Sequence, residues 1–261
     1  MRVTPITVDL NDYPEELRPF LTDAAIYDSS CSPEARVIRI DRDGGYFLKS
    51  APKGTLEREA DMTRYFFSKG LSQEVLQYVS GERDFLLTRR VVGEDCTDGR
   101  YLREPRRLAA LLGTRLRLLH ETEYEGCPVA DHTSRYLQTA RQNYERGVGD
   151  LSLFSGDFRF QTLDEAWREV ERNGHLLKTE ALLHGDYCLP NVMLDDWRFS
   201  AFIDVGNGGV GDRHVDLFWG AWTLCYNLGV DDYRADFFDA YGRDRIELDK
   251  LRLVAAAEVF G

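Results

Sequence analysis

The chain reads as an α+β protein, with an antiparallel-sheet region followed by a larger and mainly helical one. Two patterns carry this reading. Over the first ninety residues, short runs rich in apolar and β-branched residues lie between turn signals. From Pro105 onward, apolar residues recur at the three- and four-residue spacing of amphipathic helices. Strands clustered ahead of helices form an α+β layout. The expected division is a first lobe at 1–90, a hinge at 91–94 around Val91-Val92-Gly93-Glu94, and a second lobe at 95–261.

Strands are expected at 24–30, 36–41 and 46–50, punctuated by Ser32-Pro33 and Asp43-Gly44-Gly45. Arg36-Val37-Ile38-Arg39-Ile40 alternates as a half-buried strand should. A helix is expected over 55–69, with Leu56, Ala60, Thr63 and Phe67 on one stripe and Gly70 as its stop. A second hairpin follows at 74–80 and 84–90 about Gly81-Glu82. Leu108, Leu111, Leu112, Leu116 and Leu119 mark the next helix, and others are read over 136–146 and 163–177. A hairpin of 192–194 and 199–203, turning at Asp195-Asp196-Trp197, interrupts the series. Helices near 214–228, 232–241 and 248–260 complete it.

A chain of 261 residues, 43% apolar and 30% charged, has the composition of a globular protein with a sizeable core. Its net charge of -12 argues against a nucleic-acid partner. The five cysteines are scattered with no C-x-x-C pair, so neither a zinc site nor a disulfide framework is expected. Without an apolar leader or a membrane-length apolar run, a soluble cytoplasmic protein is expected.

The chemistry concentrates in His184-Gly185-Asp186, Asn191 and Ile203-Asp204-Val205-Gly206. The strand–loop–hairpin context is expected to gather Asp186, Asn191 and Asp204 at the mouth of one hairpin. Phosphoryl transfer from a nucleotide needs that inventory: one carboxylate facing the acceptor hydroxyl, and an Asn and an Asp holding the metal on the phosphates. His184 reads as structural, bonding backbone near the Asp204 turn. Lys49 closes a strand ahead of a helix bearing Glu57 and Glu59, so an ion pair can hold its ammonium against phosphates; Glu59 is the preferred partner and Glu57 the alternative. The loop around Ser32 is read either as a phosphate contact or as an ordinary hairpin loop. Gly206-x-Gly208-x-x-Gly211 matches the dinucleotide fingerprint formally, but the helical remainder leaves no parallel βαβ sheet for it. These glycines are read instead as permitting a tight turn after Asp204. Asp216 is read as a brace for the loop at Asp186, and Asp212 as either a cap or a solvated charge. Trp219, Trp222 and Tyr226 at helical spacing read as core, with an aromatic cage as the alternative.

With these residues in view, the chain resembles the aminoglycoside phosphotransferases, in their 3'-phosphotransferase branch, which carry H-G-D-x-x-x-x-N followed by I-D-x-G. Here the motifs are His184-Gly185-Asp186-Tyr187-Cys188-Leu189-Pro190-Asn191 and Ile203-Asp204-Val205-Gly206. Cys31-Ser32-Pro33, Phe47-Leu48-Lys49, Leu56-Glu57-Arg58-Glu59 and Arg117-Leu118-Leu119-His120 extend the likeness over most of the chain. The resemblance implies a protein-kinase-like fold of two lobes. It implies Asp186 as catalytic base, Asn191 and Asp204 as Mg2+ ligands, and Lys49 with Glu59 as the phosphate clamp. It also implies Ser32 on the phosphates, Phe47 on the adenine face, and hinge backbone from Arg89 to Val91. Gly185 stands where protein kinases have an Arg that reads a loop phosphate, which fits a small-molecule acceptor.

The resemblance further implies ATP, with GTP open, and an aminoglycoside as the small-molecule substrate. Asp150, Asp157, Tyr226, Asn227 and Glu258 would bind it. Family members carry acids where Tyr226 and Asn227 stand. The expected activity is phosphorylation of an aminoglycoside hydroxyl, the 3'-hydroxyl first, conferring antibiotic resistance. A kinase of the same fold acting on choline, homoserine or a sugar is the alternative, and a nucleotide-binding module without turnover the more distant one. A monomer or weak dimer is expected, with no nucleic-acid or membrane partner.

Overall fold

The computed structural model describes residues 4–31, 33, 35–152, 154 and 158–261. Among them the strands are β1 (Thr4–Ile6), β2 (Ala25–Asp28), β3 (Arg36–Asp41), β4 (Tyr46–Pro52), β5 (Val75–Ser80), β6 (Arg83–Arg89), β7 (Glu94–Asp95), β8 (Ala181–Leu183), β9 (Val192–Asp195), β10 (Arg198–Phe202) and β11 (Gly209–Gly211). The α-helices are α1 (Arg18–Leu21), α2 (Glu57–Ser68), α3 (Gly99–Leu102), α4 (Pro105–His120), α5 (His132–Glu145), α6 (Leu163–Asn173), α7 (His214–Leu228), α8 (Arg234–Tyr241) and α9 (Leu248–Glu258). Two compact units emerge: Met1–Gly93 with Met193–Gly206, and Glu94–Val192 with Asn207–Gly261.

The first unit is built on an antiparallel sheet in the order β1-β2-β3-β4-β6-β5. Ile38, Ile40, Tyr46, Leu48, Phe85 and Leu87 bury one face against Tyr13, Leu17 and Leu21. Strand alternation therefore sends Phe47 and Lys49 to the other face. There Phe47 is the register partner of Arg39 on β3 and Thr88 on β6. Helix α2 buries Ala60, Met62, Thr63 and Phe66, whereas Phe67 is exposed. Leu56, Ala60 and Thr63 are buried as expected, and Phe66 rather than Phe67 completes the stripe, with Leu56 and Ala60 packed beside Ala51 and Leu86.

The unit boundary differs from a single cut at 91–94. The β9–β10 hairpin belongs with the first unit, because Phe202 donates its N–H to the Leu71 carbonyl at 2.8 Å and accepts from the Ser72 hydroxyl at 2.9 Å. Its ring also meets Phe66 edge-on at 6.4 Å. These bonds join residues some 130 apart, a link that local pattern does not carry.

The second unit is helical around one short ribbon, β8 paired antiparallel with β11. Ala181, Leu182 and Leu183 are fully buried, so this strand reads as an apolar run without alternation. No helix among the described residues is long and apolar enough to cross a membrane.

Asp84 on β6 sets the position of α2. It is fully buried, accepts the Leu56 N–H at 2.9 Å just ahead of the helix, and takes the Ser80 hydroxyl at 2.7 Å. Asp84→Ala leaves both donors without their charged acceptor, so urea denaturation is expected to show a loss of about 2 kcal/mol. An unchanged midpoint would contradict this role.

Candidate active site

The first unit carries a three-residue ionic cluster. Lys49 Nζ donates to Glu59 Oε1 at 3.0 Å, to Glu59 Oε2 at 2.8 Å and to Asp204 Oδ1 at 2.9 Å. Glu59 occupies the first turn of α2, and Glu57 points into solvent, which decides between the two. Gly206 gives α2 its room: a Cβ there would lie 3.0 Å from Glu59 Cβ and 3.4 Å from Glu59 Cα. The left-handed residue of this turn is Asp204 itself, at φ 54°, so Gly206 serves close packing rather than the turn. Burial works against the Lys49 ammonium, yet the charges of Asp204 and Glu59 outweigh it and raise its pKa. Burial also raises the Glu59 pKa; Lys49 opposes that shift and Asp204 adds to it. An ammonium shared by two carboxylates is a preorganised cation at the sheet face that bears Phe47.

The second unit carries the loop after β8. Gly185 takes φ 81°, and a Cβ there would meet the Asn207 carbonyl oxygen at 2.2 Å, so only glycine fits. Asp216, fully buried on α7, accepts the N–H of His184 at 2.7 Å and of Gly185 at 2.8 Å. It braces the loop as expected. Asp186 Oδ2 then accepts from the Asn191 amide at 2.8 Å, and the same amide donates to the Asp186 carbonyl at 3.0 Å. His184 is buried and accepts the Asp186 N–H on Nδ1 at 3.3 Å. Asp212 is neither solvated nor a simple cap. It is buried, receives Lys178 N–H at 2.7 Å and His214 Nδ1 at 2.6 Å, and lies 3.4 Å from Lys250 Nζ. Burial opposes its charge, but these donors hold its pKa down at about 2.

Glu258 is the last residue of α9 and is half-buried. Its Oε1 accepts from Tyr136 OH and Trp219 Nε1, each at 3.0 Å. Burial raises its pKa, the two donors lower it, and the Asp186 charge raises it again, to about 7. Trp219 is thereby committed to a carboxylate. Tyr226 is 71% exposed and stacks on Trp222 at 4.9 Å and 15°. The core reading of this trio fails for Tyr226, because the last turns of α7 leave its outer side uncovered. A cavity of about 590 Å3 beside it is lined by Asp150, Phe158, Phe218, Trp222, Tyr226 and Arg234, among others.

Of the remaining expected residues, Asp150 is exposed and accepts from Ser152 N–H at 2.8 Å and Ser152 Oγ at 2.6 Å. Asn227 turns back on its own helix, donating to the Thr223 carbonyl at 2.8 Å. Arg89 spends its side chain on Glu74 at 3.1 Å, and Val91 is half-buried just after β6. Ser32 and Asp157 lie outside the described residues. The bonds that Tyr136 and Trp219 make to Glu258, and Asp84 to Leu56, carry no motif, since the partners are distant in the chain.

Among the described residues no three His, Cys, Asp or Glu side chains form a cage of their own. Asn191 spends its NH2 on Asp186, which leaves its amide oxygen as the free donor atom. The Asp204 carboxylate is 53% exposed, with Lys49 on Oδ1. An amide oxygen and a carboxylate oxygen are each donors of the hard type that Mg2+ takes.

The sequence model of the phosphotransferase enzyme family matches residues 28–254. A protein of Lactococcus lactis described as a "Probable aminoglycoside 3'-phosphotransferase" is 49% identical over 98% of this chain and 98% of its own length. The aminoglycoside 3'-phosphotransferase of Niallia circulans is 27% identical over 82% of this chain and 83% of its length. A crystal structure of an aminoglycoside-3'-phosphotransferase of type VIII superposes with a TM-score of 0.76 at 25% identity, covering 97% of this chain and 99% of that one. The complex of aminoglycoside phosphotransferase APH(3'')-Id from Streptomyces rimosus with ADP and streptomycin shares the fold, at a TM-score of 0.73 and 24% identity, covering 98% and 100% of the two chains. With the motif residues in the bonding pattern described above, the chain belongs to the phosphotransferase enzyme family, in its aminoglycoside 3'-phosphotransferase branch.

Proposed function

We propose that this protein transfers the terminal phosphoryl group of ATP to the 3'-hydroxyl of an aminoglycoside, as a cytoplasmic resistance enzyme. The observation that carries the reading is the Asp186–Asn191 pair, held on a loop whose backbone is bonded to buried Asp216. The Asn191 donor keeps Asp186 an acceptor, ready for the proton of a substrate hydroxyl. Lys49, steadied by Glu59, holds the nucleotide phosphates, and Phe47 on the same sheet face covers the base. By the family resemblance Asn191 and Asp204 would hold Mg2+, which would offset phosphate charge. Orientation and electrostatics supply most of the rate in such a transfer, so a base positioned by fixed hydrogen bonds is what the chemistry needs.

Glu258 anchors a substrate ammonium, and the cavity beside Asp150 takes a further sugar ring against Tyr226 and Trp222. A sugar ring presents C–H groups to an aromatic face, while Asp150 stays available to an amine at the rim. The 49% identical relative, described as a probable aminoglycoside 3'-phosphotransferase, supports this substrate class. ADP release across kanamycin, neomycin, choline and homoserine tests it. Stimulation by an aminoglycoside is expected, and its absence with all of them would overturn the substrate assignment.

Asp186→Asn is expected to lower kcat by about 10² to 10⁴-fold while the nucleotide KM stays near wild type. Steady-state kinetics that leave kcat intact would remove Asp186 as the base. Tyr226→Ala should raise the aminoglycoside KM roughly threefold to tenfold, the loss of one aromatic contact, without touching the ATP KM.

Glu258 also sets a pH dependence. Its pKa rises on folding from 4.5 to about 7, so the native state holds an extra proton within that window. Its contribution to stability therefore falls as pH rises from about 4.5 to 7. Glu258→Gln should gain thermal stability relative to wild type on going from pH 5 to pH 8. Substrate affinity runs the other way, since only the ionised group attracts an ammonium. The aminoglycoside KM of the wild type should fall through pH 7, and that of Glu258→Gln should not. Parallel pH profiles for the two proteins would contradict this anchor.

A further inference from the structure

Asp216 has a third donor besides the two loop amides. His120, at the end of α4 and buried, places Nε2 at 3.2 Å from Asp216 Oδ2. Its other nitrogen, Nδ1, lies 2.9 Å from the Tyr241 hydroxyl, and Arg213 Nη1 lies 3.4 Å from the same hydroxyl oxygen. Burial lowers the His120 pKa, against the pull of Asp216, so the ring is neutral. Geometry then leaves one proton arrangement. Asp216 is an ionised acceptor, its pKa held below the ordinary carboxylate value by His120 and the loop N–H groups although burial opposes them. Nε2 therefore carries the ring proton. Nδ1 is left as acceptor, so the Tyr241 O–H donates to it, and Arg213 donates to the Tyr241 oxygen. Every donor in this chain of groups points the same way, toward the carboxylate that grips His184 and Gly185.

We propose that His120, fixed as its Nε2–H tautomer by Tyr241, is a positioning residue for phosphoryl transfer that sets the catalytic loop through Asp216. Asp216 meets the backbone of the two residues just before Asp186. Loss of the His120 proton leaves Oδ2 short of a donor in a dry interior, and the carboxylate then shifts or takes up water. The turn at Gly185 has little freedom to absorb that shift, since the Asn207 carbonyl stands against it. The displacement passes to Asp186. His120 touches neither nucleotide nor acceptor, so its removal acts on turnover rather than on binding.

The proposal rests on the aminoglycoside kinase reading for its kinetic arm, and its structural arm stands apart from it. His120→Ala, His120→Gln and Tyr241→Phe are compared with wild type for kcat, both KM values and amide hydrogen exchange at His184 and Gly185. Gln can place an N–H where Nε2 stands. Expected is a fall in kcat of about 100-fold for His120→Ala, with both KM values near wild type and faster exchange at the two amides. His120→Gln should recover most of kcat and of the protection. Long-range 15N spectra of the wild type should show His120 protonated on Nε2 and bare on Nδ1 from pH 6 to pH 8, and Tyr241→Phe should weaken that preference. A charged or Nδ1-protonated His120 would overturn the proposal. So would a folded His120→Ala with wild-type kcat and wild-type exchange, or a His120→Gln no better than His120→Ala. If wild type phosphorylates no aminoglycoside, the substrate reading fails, and the exchange and tautomer results still decide the positioning role.

Discussion

A buried carboxylate is costly unless its lone pairs are filled, and Asp216 fills its own with the backbone of the loop that carries the chemistry. The N–H groups of His184 and Gly185 would otherwise sit unsatisfied beside the fully buried β8 strand. Each side therefore solves the other's desolvation problem, and the loop acquires a defined conformation as the by-product. Asp186 gains its orientation from this arrangement and from the Asn191 amide on its carboxylate. The glycine at 185 belongs to the same solution. The backbone there passes so close to the Asn207 carbonyl that any side chain would pry the loop from its acceptor.

The first unit uses charge differently. Lys49 stands between two carboxylates of unlike exposure, Glu59 at 15% and Asp204 at 53%. The buried partner fixes the ammonium, and the exposed one remains open to a cation or to solvent. Asp84 supports this at one remove by holding the start of α2, so that Glu59 meets a lysine on a strand that ended several residues earlier. Gly206 lets the Asp204 turn and α2 approach within contact distance. A salt bridge at an exposed surface would be worth little; here partial burial and three bonds on one ammonium make the geometry definite.

The second unit carries a carboxylate of raised pKa, Glu258, and an aromatic wall of Trp222 and Tyr226. Glu258 is held by Tyr136 and Trp219, and its ionisation lies within the working pH range. Trp222 and Tyr226 present a stacked, uncharged face. A neutral face selects by shape and C–H contact, whereas a row of acids selects by the number of amines.

Local sequence carried a great deal. Alternation in β3, helical spacing in α4 and the turn at Asp195-Asp196-Trp197 are near-neighbour properties, and the fold class follows from them. Lys49, Asp186, Asn191 and Asp204 stood out in the sequence because phosphoryl transfer calls for those side-chain types and the family resemblance matched their spacing. Tertiary structure decided what depends on burial and on distances across many residues. It selected Glu59 over Glu57 and Phe66 over Phe67, and it joined the β9–β10 hairpin to the first unit through Leu71 and Ser72. It also left Tyr226 outside the core and placed His120 behind Asp216. None of these has a period or a spacing, since each is set by which groups lose water together when distant segments pack.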